Sequence, residues 1–368
     1  MQSLFALQQC KDANYELCID QIGDAFMVDL NSMEVQDKTL LATQKKTAIK
    51  AFQKAFQLGD TSIEHDDVKI KKSVNSAFQF YVTQSKKDTE FFLKNLIGDI
   101  ERIYDHYIAA LTLAGAFAEL AESDKKGSHK NFINNSWIKA IRESEQLQKF
   151  AVTTGKHWND KQDRVRSWFR DVVRHDNEYA SFIDKKEPTV EDQKKFINHL
   201  FRKIILGKTV INEYFEEEVL RWAEDRDIVK GLLEKTIKAF SGETNEVLTL
   251  HTLSVNWEED KNFIEKLYRG GSQLDDYYKE IIASNTRNWE VDRLALTDRI
   301  ILEMSIAEML EFPNIPVKVT MNEYIELAKN YSTPKSRQFV NGILDVIAKE
   351  LKNTGNIRKS GRGLMDNK

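Results

Sequence analysis

Apolar residues recur at three- and four-residue steps through most of this chain, a spacing that predicts helices rather than strands. A first helix is expected from about Gln2 toward Cys10, followed by a polar linker over residues 31–38. Helices are then expected over 41–58, 68–84 and 89–121, the last of them long, before the polar, glycine-containing run 123–128 breaks the pattern. Further helical windows cover 134–152, 160–183, 190–206 and 212–240, with Glu187-Pro188-Thr189 the clearest boundary among them. The window 292–311 carries the strongest core pattern. There Leu294, Leu296, Ile300, Ile301, Met304, Ala307 and Leu310 leave only a narrow polar strip, so other helices must surround it.

The most specific string lies between Ile315 and Ile347. Thr320 and Glu323 have the spacing of a capping box that opens a helix, with Met321, Tyr324, Ile325 and Ala328 on one face. Thr333-Pro334 then offers a cap residue followed by proline at a first helical position, where the missing N–H is harmless. The helix that follows is predicted to bury Val340, Ile343, Leu344, Ile347 and Leu351.

Taken in order, Pro316-Val317-Lys318-Val319, Asn322-Glu323, Ile325-Glu326-Leu327-Ala328-Lys329 and Phe339-Val340-Asn341-Gly342-Ile343-Leu344-Asp345 resemble the C-terminal half of the NusB family of bacterial transcription antitermination factors. The resemblance extends upstream through residues 288–294 and 298–302, and more weakly through Phe263, Leu267, Gly270 and Gly271. At the other end, residues 1–8 look like the family's first helix. It implies an all-α fold, a NusB-like pair of small helical bundles with an inserted helical region. The corresponding division is 1–30 for the first helix and the start of the connection, 31–188 for the insertion, 189–352 for the NusB-like domain, and 353–368 for a basic, disordered tail.

Composition adjusts this picture in two respects. Four prolines and fifteen glycines in 368 residues, with 41% hydrophobic and 30% charged, describe an ordinary globular helical protein. A net charge of −4 removes any global electrostatic case for nucleic acid, so RNA contact must come from a local basic face. Cys10 and Cys18 are too few for a disulfide framework and complete no zinc site, so no metal or cofactor is expected. The apolar run 107–118 is shorter than the roughly 18 residues of a membrane span, and the amino terminus lacks a signal-peptide pattern. The expectation is a cytoplasmic protein without membrane contact.

For recognition, the residues singled out are Phe5, Asp298, Arg299, Lys335, Arg337 and Phe339. Phe339 follows Lys335, Ser336, Arg337 and Gln338, which sets an aromatic face beside cations and donors, as single-stranded RNA readers do. Periodicity alone also allows Phe339 a core place beside Ile343; the resemblance implies that the ring borders the RNA surface. By the same resemblance, Asp298 helps to shape the RNA and partner surface, while Glu303 stands where the family often has a basic residue. The family's arginine-rich segment before the first helix has no counterpart after Met1. Either an extension precedes Met1, or the insertion supplies cations, for which Arg166, Arg170 and Arg174 beside Trp168 and Phe169 are candidates, although the interspersed Asp163, Asp171 and Asp176 favour an ordinary solvated face.

Enzyme signatures are not met. Gly207-Lys208-Thr209 is like the end of a phosphate-binding loop, but Arg202 replaces the required earlier glycine and the segment reads as helix. The resemblance implies a non-catalytic factor that binds single-stranded boxA-type RNA with the ribosomal protein NusE and acts on the transcription elongation complex. The alternative is a helical protein-interaction adaptor that has lost RNA binding.

Overall fold

A computed structural model describes the chain except for Ser32, Glu34, Lys126, Thr244, Asn245, residues 287–293 and Lys368. Among the described residues all regular structure is helical. The resemblance noted at 288–293 falls outside them.

The chain divides into two compact units, residues 1–97 with 258–368, and residues 98–257. The first opens with α1 (Gln2–Asp24), α2 (Lys38–Gln57) and the beginning of α3 (Val68–Ser123), whose remainder belongs to the second unit. α1 runs well past Cys10 because its buried residues Leu4, Leu7, Asn14, Cys18 and Ile22 continue at helical spacing. Its polar middle is tied rather than frayed: Lys11 donates to the Ser272 carbonyl at 3.1 Å, and Asn14 donates to the Asp88 carboxylate at 2.7 Å. The break expected in α3 near residues 85–88 does not occur. No proline or glycine lies there, and bonds four residues apart, Gln84 to Asp88 at 2.9 Å and Thr89 to the Ser85 carbonyl at 2.8 Å, carry the helix through.

Residues 98–257 contain α4 (Lys130–Ile133), α5 (Ser136–Glu143), α6 (Glu145–Thr154), α7 (Gln162–Trp168), α8 (Asn177–Ile183), α9 (Val190–His199), α10 (Thr209–Glu218) and α11 (Trp222–Ala239). The long windows read from the sequence are broken here by local caps and π-helical turns. Asn135 caps α5 and Ser144 caps α6, while π-helical turns occupy Phe169–Val173 and Leu200–Ile205. Pro188, expected to bound a domain, lies inside this unit: Phe182 before it and Phe196 after it stack at 4.3 Å. Thr189 does form a capping box with Asp192, which explains the helix start seen in the sequence. The core is aromatic, and buried indoles find acceptors, Trp137 at the Ile237 carbonyl (3.1 Å), Trp158 at the Ala109 carbonyl (3.0 Å) and Trp222 at Asn212 (2.8 Å).

The first unit is completed by α12 (Trp257–Ser272), α13 (Asp276–Thr286), α14 (Leu296–Glu311), α15 (Val317–Tyr331) and α16 (Ser336–Asn353). It holds two hydrophobic clusters. One joins Cys18 and Ile22 of α1 to Phe52 of α2 and Phe78 of α3; the other joins Leu4 and Leu7 to the buried faces of α14, α15 and α16. Gly270 and Gly271 let α12 approach closely, since a Cβ at Gly270 would stand 3.1 Å from the Ala307 Cβ, and one at Gly271 3.0 Å from Leu4.

Two expectations for this unit are corrected. Thr320 does not cap α15, because the helix starts one turn earlier behind Pro316. Val317 and Thr320 are both buried, and the Thr320 hydroxyl lies 3.5 Å from the Pro316 carbonyl inside the first turn. Residues after 353 are not a free tail either. Ile357 enters the core, the Ser360 N–H donates to the Pro313 carbonyl at 3.0 Å, Lys359 donates to the Phe312 carbonyl at 3.0 Å, and a 3₁₀ segment follows over Gly361–Asn367.

Candidate nucleic-acid interface

The start of α16 is fixed from beneath by hydroxyl groups. Ser336 donates to the Asp298 carboxylate at 2.8 Å, and its hydroxyl oxygen lies 2.9 Å from those of Ser332 and Thr333. Asp298, in the first turn of α14, is only 5% exposed. Its expected place on an RNA-binding surface is therefore corrected: the carboxylate sits under the surface and positions the helix that carries Lys335 and Arg337.

Those two cations are exposed. Lys335 forms no ion pair among the described residues, and Arg337 lines an open groove of about 600 Å³ with Asn322, Glu326, Gln338 and Asn341. Glu326 is held below the usual carboxylate range chiefly by Lys329, 2.9 Å away, with Arg337 adding a weaker through-space effect. Three amides that can both donate and accept thus stand beside a guanidinium, a set suited to a polar ligand with anionic oxygens.

Phe339 is not part of that face. It is 7% exposed and belongs to the core with Val340, Ile343 and Leu344, so the stacking role expected for it is corrected. The physical reason is the stripe on α16: Ser336, Phe339, Val340, Ile343, Leu344 and Ile347 follow three- and four-residue steps on the buried side. Phe5 on α1 is 38% exposed, and among the described residues no hydrogen bond, ion pair or ring contact joins it to the groove.

Arg299 faces Glu303 at 3.7 Å. Burial pushes the Glu303 carboxyl up, while Arg299, Lys279 and Lys11 act in the opposite direction. Of these cations only Arg299 stands beside Glu303, since Lys279 pairs with Asp276 at 2.8 Å and Lys11 bonds the Ser272 carbonyl. The arginines considered as replacement cations are likewise engaged. Arg166 pairs with Asp163 at 3.3 Å, Arg170 with Asp171 at 2.6 Å and Arg174 with Asp124 at 3.1 Å, while Trp168 and Phe169 are buried in the core. That row is a set of ion pairs, not an aromatic and basic face.

One polar feature of this unit was not anticipated from the sequence. Tyr324 of α15 donates to the Glu308 carboxylate of α14 at 3.0 Å in a buried setting. Desolvation pushes Glu308 up, and the bonds it accepts from Thr320 and Tyr324 moderate the rise. Glu308 lies on the expected polar strip of α14, and only a partner on another helix reveals that the strip is covered.

The sequence model described as the NusB family matches residues 224–349, from within α11 through most of α16. A transcription antitermination protein NusB of Salinibacter ruber is 42% identical over 120 residues, 32% of this chain and 75% of the relative. A protein of the same name from Chloroherpeton thalassium is 46% identical over 106 residues, 29% of this chain and 50% of that protein. Another, from Dictyoglomus turgidum, is 40% identical over 104 residues, covering 28% and 70%. No solved structure matches at a significant level. Among the described residues no helix is long and apolar enough to cross a membrane. The aligned relatives, together with the helical architecture over the matched region, lead to the conclusion that this chain belongs to the NusB family of transcription antitermination proteins.

Proposed function

We propose that this protein binds a short boxA-type single-stranded leader RNA together with the ribosomal protein NusE, and that the assembly acts on elongating RNA polymerase to suppress termination. The observation that carries the reading is the pair of exposed cations, Lys335 and Arg337, beside a groove lined by Asn322, Gln338 and Asn341. Cations at such a rim follow a phosphate backbone, while amides can meet the edges of unpaired bases. Family membership supplies the antitermination context.

The test is equilibrium binding of the full chain, with and without NusE, to a leader RNA and to a scrambled RNA of the same length. Tighter binding of the leader RNA that strengthens with NusE is expected. Equal affinity for both RNAs, unchanged by NusE, contradicts the reading. Burial of Phe339 and Asp298 favours a second reading, a protein-interaction adaptor without RNA contact. The adaptor predicts NusE binding with no measurable RNA affinity.

A further inference from the structure

A cationic pocket of about 260 Å³ lies within residues 98–257, where the turn after the π-helical segment Leu200–Ile205 meets α11. Its walls carry Arg202, Lys203, Arg226 and Lys230 against a single acid, Asp227. Arg202 also faces Glu234 at 3.3 Å, in a pair open to solvent. Lys203, Arg226 and Lys230 form no ion pair among the described residues. In a chain whose net charge is −4, this is a local concentration of positive charge rather than a sample of the average surface.

The fold builds the pocket from both sides. Phe201, Ile204 and Ile205 are buried, which anchors the π-helical turn, and the Leu206 N–H bonds five residues back to the Phe201 carbonyl at 2.9 Å. The chain then turns tightly over Lys203, because a Cβ at Gly207 would lie 2.5 Å from the Lys203 carbonyl oxygen. Glycine is required there by close approach. Across the pocket, Arg226 and Lys230 are one helical turn apart on α11, whose buried Val229 and Leu233 hold that helix against the core.

We propose that this pocket is a binding site for a phosphodiester group of single-stranded RNA. The assignment rests on the RNA-binding reading above and adds a backbone contact from the second unit. Guanidinium forks and ammonium groups converging on one cavity match phosphate oxygens. The lining contains no aromatic ring and only Leu206 as an apolar side chain, so nothing there would stack on a base. The site therefore grips backbone without reading sequence.

The experiment measures the affinity of the full chain for a scrambled single-stranded RNA as salt is varied. Each lost phosphate contact should flatten the slope of log affinity against log salt by about 0.7. Lys203→Ala with Lys230→Ala, which together empty the one-phosphate site, should flatten it by about 0.7, and Lys203→Arg with Lys230→Arg should retain the original slope. Lys235→Ala with Lys238→Ala, on exposed α11 positions outside the pocket, is the control and should change it less. Should the double alanine variant lose helical content, Arg226→Gln alone should flatten the slope in the same direction, by at most about 0.7. A folded pocket variant with the original slope, or one indistinguishable from the control, overturns the assignment, as does an intact protein with no affinity for the scrambled RNA. Preference for leader over scrambled RNA is a separate readout: its absence counts against the leader-RNA reading while a pocket-dependent slope still supports this site.

Discussion

Each compact unit buries a group that resists ionisation, a carboxyl in the first and an imidazole in the second. In the unit formed by residues 1–97 and 258–368, Glu308 is almost fully buried, and desolvation pushes its carboxyl above the ordinary value of 4.5. In residues 98–257 the comparable group is His106, 2% exposed and set edge-on to Phe215 and Trp222, which burial pushes down to about 4. The stability linked to Glu308 is fully present below 4.5 and is lost as pH rises through its folded value. That linked to His106 is present above its ordinary 6.5 and is lost as pH falls toward about 4. Ionisation of Glu308 thus opposes folding from the alkaline side and ionisation of His106 from the acid side, because desolvation acts against whichever form is charged.

The largest effect that would break this comparison concerns the cores themselves. Phe339→Ala in the first unit and Trp222→Ala in the second should each lower stability by about 3–5 kcal/mol, measured by denaturant unfolding. Phe339→Leu should be much milder, below about 1.5 kcal/mol, as a swap of one apolar side chain for another. If Phe339→Ala keeps full stability and loses RNA affinity instead, the ring is a surface group and its core assignment fails.

Next in size is the pH response. Because His106 is displaced from 6.5 to about 4, its contribution is worth about 3 kcal/mol once fully protonated. His106→Phe should therefore flatten the loss of stability between pH 6.5 and 4, read from melting temperatures across that range. Glu308→Gln should act in the other direction, being better tolerated at pH 7 than at pH 4. Parallel pH profiles for both variants and the parent protein would remove the contrast between Glu308 and His106.

A smaller effect sharpens the account of the α14–α16 junction. Ser336→Ala takes a hydrogen bond from the buried Asp298 carboxylate and should cost about 1–3 kcal/mol. RNA affinity should fall with it, because Lys335 and Arg337 flank the altered position. Unchanged stability would mean that Asp298 does not hold this helix.

Much of the first unit was legible in the sequence, because α14 and α16 carry apolar residues at helical spacing and the family resemblance is concentrated there. Capping was less legible. Thr320 and Glu323 have the spacing of a box, yet a buried Val317 draws the helix start back to Pro316, and no local pattern reports that. Phe339 was ambiguous between core and surface because periodicity places a residue on a face without saying what covers the face. In the second unit the arginines at four-residue steps drew attention, but their acids lie partly at positions far along the chain, as Asp124 does from Arg174. Arg202, Lys203, Arg226 and Lys230 are separated by more than twenty residues between the two pairs, and only folding brings them to one pocket. Gly207 was the one sequence signal there, although it serves a tight turn rather than a nucleotide loop.

The proposed RNA contact combines Arg337 in the groove with the exposed Lys335 two residues before it. Its most direct test is the salt dependence of leader-RNA affinity in the presence of NusE, for the parent protein and for Lys335→Ala with Arg337→Ala. A slope flatter by about 1.4 is expected in the double variant, with NusE binding retained. An unchanged slope accompanied by loss of NusE would make this groove a protein interface and rule out the RNA contact.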